Sequence, residues 1–557
     1  MMFSRALFVS ITLFAQTGEV FGRCRTQPGD PGFPSTADWA TLNDTIDGRL
    51  LTVIPSAEVC AQLNCTEAQW TSSVFRDMIP GQMNQYNWEQ DYDAVPPELC
   101  LRNGTTCAQG NVPLYAVNAT TTEHVQAGIR FAARHNLRVA VKSSGHDYLG
   151  RSTAKNSILI WVHYLQNITF TESFRVDGKD LGSAVTLGSG VSMQTIYPAA
   201  EQVGKMVVGG SVATAALGGG YIQGAGHSAF SPILGLAADS ALQFEIVLSN
   251  GEVVTANERS HSDLFWAVRG GGAGSWGVVT SVVVKTYPTF NATEYVVLLS
   301  FPSIDVVTSV MTSHAKHVFE WGDIGHYYTL VAEPAGIFLE FSAHFPNTSG
   351  AGAIALMEPF WEEAQALGAS LLFNSTTTSL ANERVLSSDD SVAMMGVIGS
   401  RLIPARAYQD IPGAIGQVHG RLIEMGYVIS GNVIAGGKVA ENANISSAVT
   451  PKWRTAKGHV VVTSIWNEST TPREIDVVRE AMTTQAVPML ANATGEMDSG
   501  AYSNEADVRE PDFQSTFFGD NYARLTVVKA KYDPQDLFIV GAGVGSERWD
   551  DDGLCTI

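Results

Sequence analysis

The chain has 557 residues, with 34 Lys+Arg against 55 Asp+Glu and a formal charge of −21. A surface so acidic repels phosphate backbones and anionic headgroups, which argues against nucleic acid and the membrane surface as partners. Hydrophobic residues make up 45% and charged residues 16%, too apolar for a disordered chain and enough for two or three domain cores.

Met1–Gly22 carries Arg5 ahead of the apolar run Ala6–Ala15, with Val20 and Gly22 at the −3 and −1 positions. That is the pattern of a secretory signal. The run is shorter than the ~20 residues that span a bilayer, and no later apolar run reaches that length. A soluble, secreted mature protein is expected. Asn-X-Ser/Thr sites at Asn43, Asn64, Asn103, Asn118, Asn167, Asn291, Asn347, Asn374, Asn444, Asn467 and Asn492 fit a glycoprotein. The cysteines are Cys24, Cys60, Cys65, Cys100, Cys107 and Cys555. They suit structural disulfides in an oxidising compartment, and the spacing leaves the connectivity open.

Residues 23–60, with Pro28, Pro31 and Pro34, read as loop-rich. Thr121–Asn136 places Val125, Ile129 and Ala132/Ala133 at helical spacing. Leu137–Ser143 and Ser157–Val162 read as strands. Asn250-Gly251 joins two apolar runs as the type I′ turn of a hairpin. Asp263–Gly270 reads as a short helix, and Gly277–Pro288 as a strand stopped by Pro288. After Asn291 strand-like and helical runs alternate, and from Tyr502 the earlier aromatic, Asn- and Gly-rich texture returns. A discontinuous first domain with a second α+β domain inserted into it is the expected organisation.

Four segments carry candidate chemistry. Val139–Thr153 holds Ser143, Ser144, Gly145, His146, Gly150 and Ser152 after a strand ending at Lys142. Small residues there let backbone N–H groups converge on an anion. From these residues alone His146 is equally readable as a hydrogen-bonded loop histidine. Val207–Ser240 holds seven glycines within Gly209–Gly226. A dinucleotide fold is the alternative there, with Asp239 as its acidic residue. The tract lacks the required helix, however, and an extended glycine-lined surface against a flat ring fits better. Arg269–Ser281 is a third glycine cluster, and Ala501–Phe538 sets Tyr502, Asn504, Asn521, Tyr522 and Arg524 among aromatics. His314 and His317 have helical spacing but no third ligand, so no metal is expected.

Together, VKSSGHDYLGRST, GGGYIQGAGHSAFSPILGLAAD, DLFWAVRGGGAGSWGVVTSV and YSNEAD…FFGDNYARL…KYDPQDLF resemble the FAD-linked oxidoreductases of the vanillyl-alcohol-oxidase/berberine-bridge-enzyme type, especially their secreted fungal branch. The resemblance spans most of 137–290 and 500–540. It implies an α+β, two-domain, PCMH-type FAD-binding fold. Its parts would be a signal at 1–22, a first part of the FAD domain at 23–290 with its core at about 110–290, a substrate domain at 291–497, and a returning segment at 498–557.

The resemblance further implies that Ser143–Gly145 hold the pyrophosphate and that His146 bonds the flavin 8α carbon. The remaining cofactor contacts it implies are Lys142, Gly150, Ser152, Gly209, Gly210, Ser211, Gly219, Gly220, Tyr221, Gly226, His227, Tyr502, Asn504 and Asn521. Bicovalent members carry Cys-Pro-Thr where this chain has Val212-Ala213-Thr214. Val212 has no thiol, so FAD would be attached through His146 only. The implied reaction moves hydride from a small-molecule alcohol, sugar or amine to the flavin, with molecular oxygen as acceptor and peroxide as product. A tailoring enzyme whose oxidised product cyclises shares that first step. Tyr502 is the candidate base or relay, its alternative being a packing tyrosine. His227 and Asp239 rank below it, and Asp239 is better placed to fix a turn.

Overall fold

The computed structural model describes residues 23–386, 390–495 and 499–557. The signal at 1–22 lies outside the described residues. Near the start, a four-stranded sheet runs in the order Leu50–Thr52, Tyr115–Asn118, Ser157–Trp161, Arg138–Lys142. Its last three strands are parallel. The helix Thr122–Arg134 makes the crossover between two of them. Thr121 caps it by accepting from His124 N, and Val125, Ile129 and Ala132 form its buried stripe. Ser157–Trp161 is buried throughout, as a central parallel strand must be.

An antiparallel five-stranded sheet follows, in the order Val253–Asn257, Ala241–Val247, Val278–Lys285, Ala184–Gly188, Ile168–Thr171. The Asn250-Gly251 hairpin forms, but not through the expected type I′ turn: of the pair only Gly251 has a positive φ, at +77°, and its N–H donates to Leu248 O at 2.8 Å. A seven-stranded antiparallel sheet is drawn entirely from Asn291–Trp466. Its apolar core of Val297, Leu330, Phe341, Phe360 and Ile429 is separate from that of the first sheets. The C-terminal helix Tyr522–Tyr532 then returns, and its Leu525 and Val528 pack with Val185, Leu187, Phe244 and Val282. Lys529 Nζ pins this return by donating to Ser275 O at 2.8 Å, Phe538 O at 2.6 Å and Asp533 Oδ2 at 2.7 Å.

Within the loop-rich stretch 23–60, Thr36–Thr45 and the start of Ser56–Leu63 are helical. The first starts on a capping box between Ser35 and Asp38. At the second, Ser56 N and Oγ donate to Glu89 at 2.9 Å each. In the glycine tract Leu217–Tyr221 is a π turn kinked at Gly219 that leads into Ile222–Gly224, and the expected turn through Pro232 is built of two single helical turns, Ser231–Leu234 and Ala237–Ser240.

All six cysteines are paired, as Cys24–Cys555, Cys60–Cys65 and Cys100–Cys107. Among the described residues no helix is long and apolar enough to cross a membrane.

Candidate active site

A cleft opens where the strand Arg138–Lys142 ends. The loop that follows is held from behind by residues 79–84. Gln82 Nε2 donates to Ser144 O at 2.7 Å, and Asn84 N to Gly145 O at 3.0 Å. Gly145 takes φ +85° to turn the chain, and Ser143, Ser144, Gly145, His146 and Ser152 line the cleft. His146 Nε2 lies 2.5 Å from Thr214 Oγ1. Burial pushes its pKa down to about 4, so near neutrality the imidazole is uncharged and keeps a nucleophilic lone pair.

Gly210, Ser211, Gly219, Gly220, Tyr221 and His227 form the facing wall, with Val212 beside them and Ala273, Gly274 and Gly277 from the third glycine segment. This wall approaches the loop so closely that a Cβ on Gly219 would lie 2.7 Å from Ser143 Oγ. At Gly220, by contrast, the nearest atom to an added Cβ is Ala273 Cβ at 3.5 Å. Ser189 lines the same cleft, and its Oγ is buried without a partner. A flat wall of small residues, hydroxyl donors at one end and an uncharged imidazole fit a flavin dinucleotide.

Tyr502, Asn504 and Glu505 close the cleft. Asn504 is fixed by four bonds, one of them from its Nδ2 to Tyr221 O at 3.4 Å. Its Nδ2 donates to Gly220 O at 3.1 Å and to Tyr502 OH at 2.8 Å, and its Oδ1 accepts from Arg151 Nη2 at 3.0 Å. Arg151 also pairs with Asp147 at 2.6 Å. Gly226 N donates to Tyr502 OH at 3.3 Å. Burial, then the Glu505 charge, pushes the Tyr502 phenol above its ordinary range.

Glu505 sits between two imidazoles, with Oε1 3.2 Å from His227 Nε2 and Oε2 3.4 Å from His459 Nδ1. Burial works to raise its pKa, but the two histidines outweigh burial and hold the carboxyl below its usual value. His459 is itself pushed down to about 4, chiefly by burial.

Five expected contacts do not line the cleft. Lys142 Nζ points away to backbone carbonyls of residues 79–82, including Gln82 O at 2.7 Å. At Gly150 an added Cβ would meet the Trp88 ring at 2.7 Å, and at Gly209 it would meet Tyr197 OH at 2.4 Å. Gly226 lies behind Tyr221, and Asn521 Nδ2 donates to Ala448 O and Val449 O at 3.2 and 3.1 Å. Asp239 fixes structure. It accepts from Leu236 N and pairs with Arg454 at 2.7 and 2.9 Å. His314 is buried 3.0 Å from His326, whereas His317 pairs with Glu320 and Glu363.

Glu505, His459, Arg151 and Thr214 escaped the sequence reading. Glu505 had a local signal, lying in YSNEAD beside Asn504. His459 had none, since it comes from the strand Ala456–Trp466 of the inserted region.

Residues 113–257 match the model of an FAD binding domain, and residues 501–545 that of berberine and berberine-like proteins. An uncharacterized FAD-linked oxidoreductase of Arthroderma benhamiae is 35% identical over 96% of each chain. The FAD-linked oxidoreductase patO of Aspergillus clavatus is 33% identical over 96% of this chain and 94% of its own. The solved VAO-type flavoprotein MtVAO615 of Myceliophthora thermophila C1 superposes with a TM-score of 0.84 at 27% identity, covering 96% of this chain and all of its own.

Proposed function

Because the chain belongs to the FAD-linked oxidoreductases of the vanillyl-alcohol-oxidase and berberine-bridge type, we propose that it is a secreted oxidase of small-molecule alcohols, sugars or amines, with FAD joined to His146 alone. The observation that carries this reading is the uncharged His146 imidazole opening onto a glycine-walled cleft that Tyr502 and Asn504 close. When bound, the flavin accepts hydride from a substrate C–H at N5 and hands the electrons to oxygen, giving hydrogen peroxide.

The chain's own residues supply the rest. The serines and backbone N–H groups of Ser143–Gly145 receive the pyrophosphate, and the small wall from Gly210 to Gly220 admits the ring system. His146 is the attachment point, and Val212 offers hydrocarbon where a second link would need sulfur. Tyr502 stands at the closing wall, where its phenol meets the substrate oxygen or nitrogen. Trp453 and His459, which pack around Tyr502 at ring distances of 5.6 and 5.8 Å, come from the region 291–497 and make it the source of substrate choice. The three disulfides and the glycosylation sites support the secreted reading.

The test is a screen of alcohols, oligosaccharides and amines that measures peroxide and anaerobic bleaching of the flavin together. Bleaching with one peroxide per product is the expected result. Bleaching without peroxide would leave a dehydrogenase and refute the oxidase assignment.

A further inference from the structure

We infer that Glu505, rather than Tyr502, takes the proton of the substrate hydroxyl or amine, with His227 and His459 as its positioning pair. The inference rests on the hydride-transfer reading above and names the acceptor that reading requires.

Tyr502 is badly placed to accept. Its oxygen already receives Asn504 Nδ2 at 2.8 Å and Gly226 N at 3.3 Å. Burial and the neighbouring carboxylate keep its proton on. A phenol so arranged has its O–H to give and no lone pair to spare, so it positions a substrate oxygen as a donor.

Glu505 has the opposite character. It lines the same cleft and is 23% exposed to it. The other carboxylate of the lining, Asp147, is tied to Arg151 by bonds from Nε and Nη2. Glu505 has no Arg or Lys partner in the described structure. Each of its oxygens faces one imidazole and keeps acceptor capacity for a substrate proton. Every other titratable ring near it is neutral. Tyr148, Tyr221, Tyr327 and Tyr502, which come from the His146 loop, the glycine tract, the strand Gly325–Glu333 and the closing wall, are all raised by burial. His227 Nδ1 and His459 Nε2 are buried without partners in the described structure, and His459 Nδ1, besides facing Glu505, lies 3.3 Å from Asn432 Nδ2.

The step balances as follows. The substrate C–H bond breaks, and its hydrogen leaves with the electron pair for the flavin. The O–H (or N–H) bond breaks, and its proton goes to a Glu505 oxygen while the C=O (or C=N) bond forms. The new carboxylic acid, whose side chain is 23% exposed, then gives its proton up to solvent and is ready again.

Two measurements test this on the flavin-loaded protein. With a substrate from the peroxide screen, anaerobic bleaching is followed against pH. Glu505→Gln should keep its covalent flavin and slow bleaching about 10²–10⁴-fold, the usual contribution of a positioned base. It should also lose the acidic ionisation seen in the wild type. Glu505→Asp should restore part of the rate. Tyr502→Phe should lose less than about tenfold and keep the ionisation. His459→Asn and His227→Asn should move the ionisation to higher pH, an effect that loss of packing alone would not produce. A Glu505→Gln rate near the wild-type value, or loss of the ionisation in Tyr502→Phe, overturns the assignment.

The second measurement needs no substrate. The flavin absorption spectrum is titrated in acid, where wild type should show a transition below the ordinary carboxylate range that is missing from Glu505→Gln. A transition shared by both proteins, or absent from wild type, overturns the proposal. If no compound bleaches the wild type, the parent reading fails, and this titration still decides whether Glu505 ionises against the flavin.

Discussion

His146 is bonded through Nε2 to Thr214 Oγ1 and faces the cleft with its remaining edge. Its low pKa, caused by burial, means that attachment draws on an uncharged ring. Acid precipitation of the wild type should therefore leave the yellow colour in the pellet, and peptide mass mapping should find flavin on the fragment containing His146. His146→Ala should release it to the supernatant while the protein stays folded, because the phosphate and ring contacts remain. A histidyl link would also withdraw electron density from the flavin. Its loss should lower the potential and slow hydride transfer, since roughly 30 mV is a tenfold change in a two-electron equilibrium. Val212→Ala should change neither. Flavin recovered on any residue other than His146 would refute the assignment.

Elements were legible where one periodicity governed them. The helix Thr122–Arg134 and the strands on either side declared themselves by spacing, and Asn250-Gly251 by turn chemistry. The tract from Gly209 to Gly226 did not, because glycine permits many backbones and specifies none. Its π turn is set by what it packs against, Ser143 on one side and Asn504 on the other. Lys142 and Gly150 sat inside a binding motif yet face Gln82 and Trp88, since a motif marks a neighbourhood and not the direction of each side chain. The partnership of Glu505 with His459 joins segments 46 residues apart on different elements, so no local pattern announces it. Asp239 makes the same point for stability. This buried carboxylate ties the turn Ala237–Ser240 to Arg454 of the inserted region and also accepts from Asn442 Nδ2 at 3.0 Å. Asp239→Ala leaves a buried guanidinium unpaired and should cost about 3–5 kcal/mol in urea unfolding. Asp239→Asn should cost less, because its amide keeps the bond to Leu236 N.

At the scale of the whole molecule, buried histidines set the response to acid. Burial lowers His344, His419 and His459 to about 4 and His314 to about 3, and His326 falls well below its ordinary value. The unfolded chain binds protons at these sites near 6.5, the folded chain only near 4 or below. Stability is therefore present in full above about pH 6.5 and is lost as pH falls toward 4. A melting temperature that stays level across that window would contradict this. His344→Gln, which removes one such site, should flatten the slope. The pairing of Cys24 with Cys555, 531 residues apart, has a further consequence. It makes the backbone between them a covalent ring. One proteolytic nick in that ring releases no fragment. A nicked molecule runs as a single species on a non-reducing gel and parts into two on reduction, so the piece bearing His146 and the piece bearing Glu505 stay tethered through damage that would scatter an open chain.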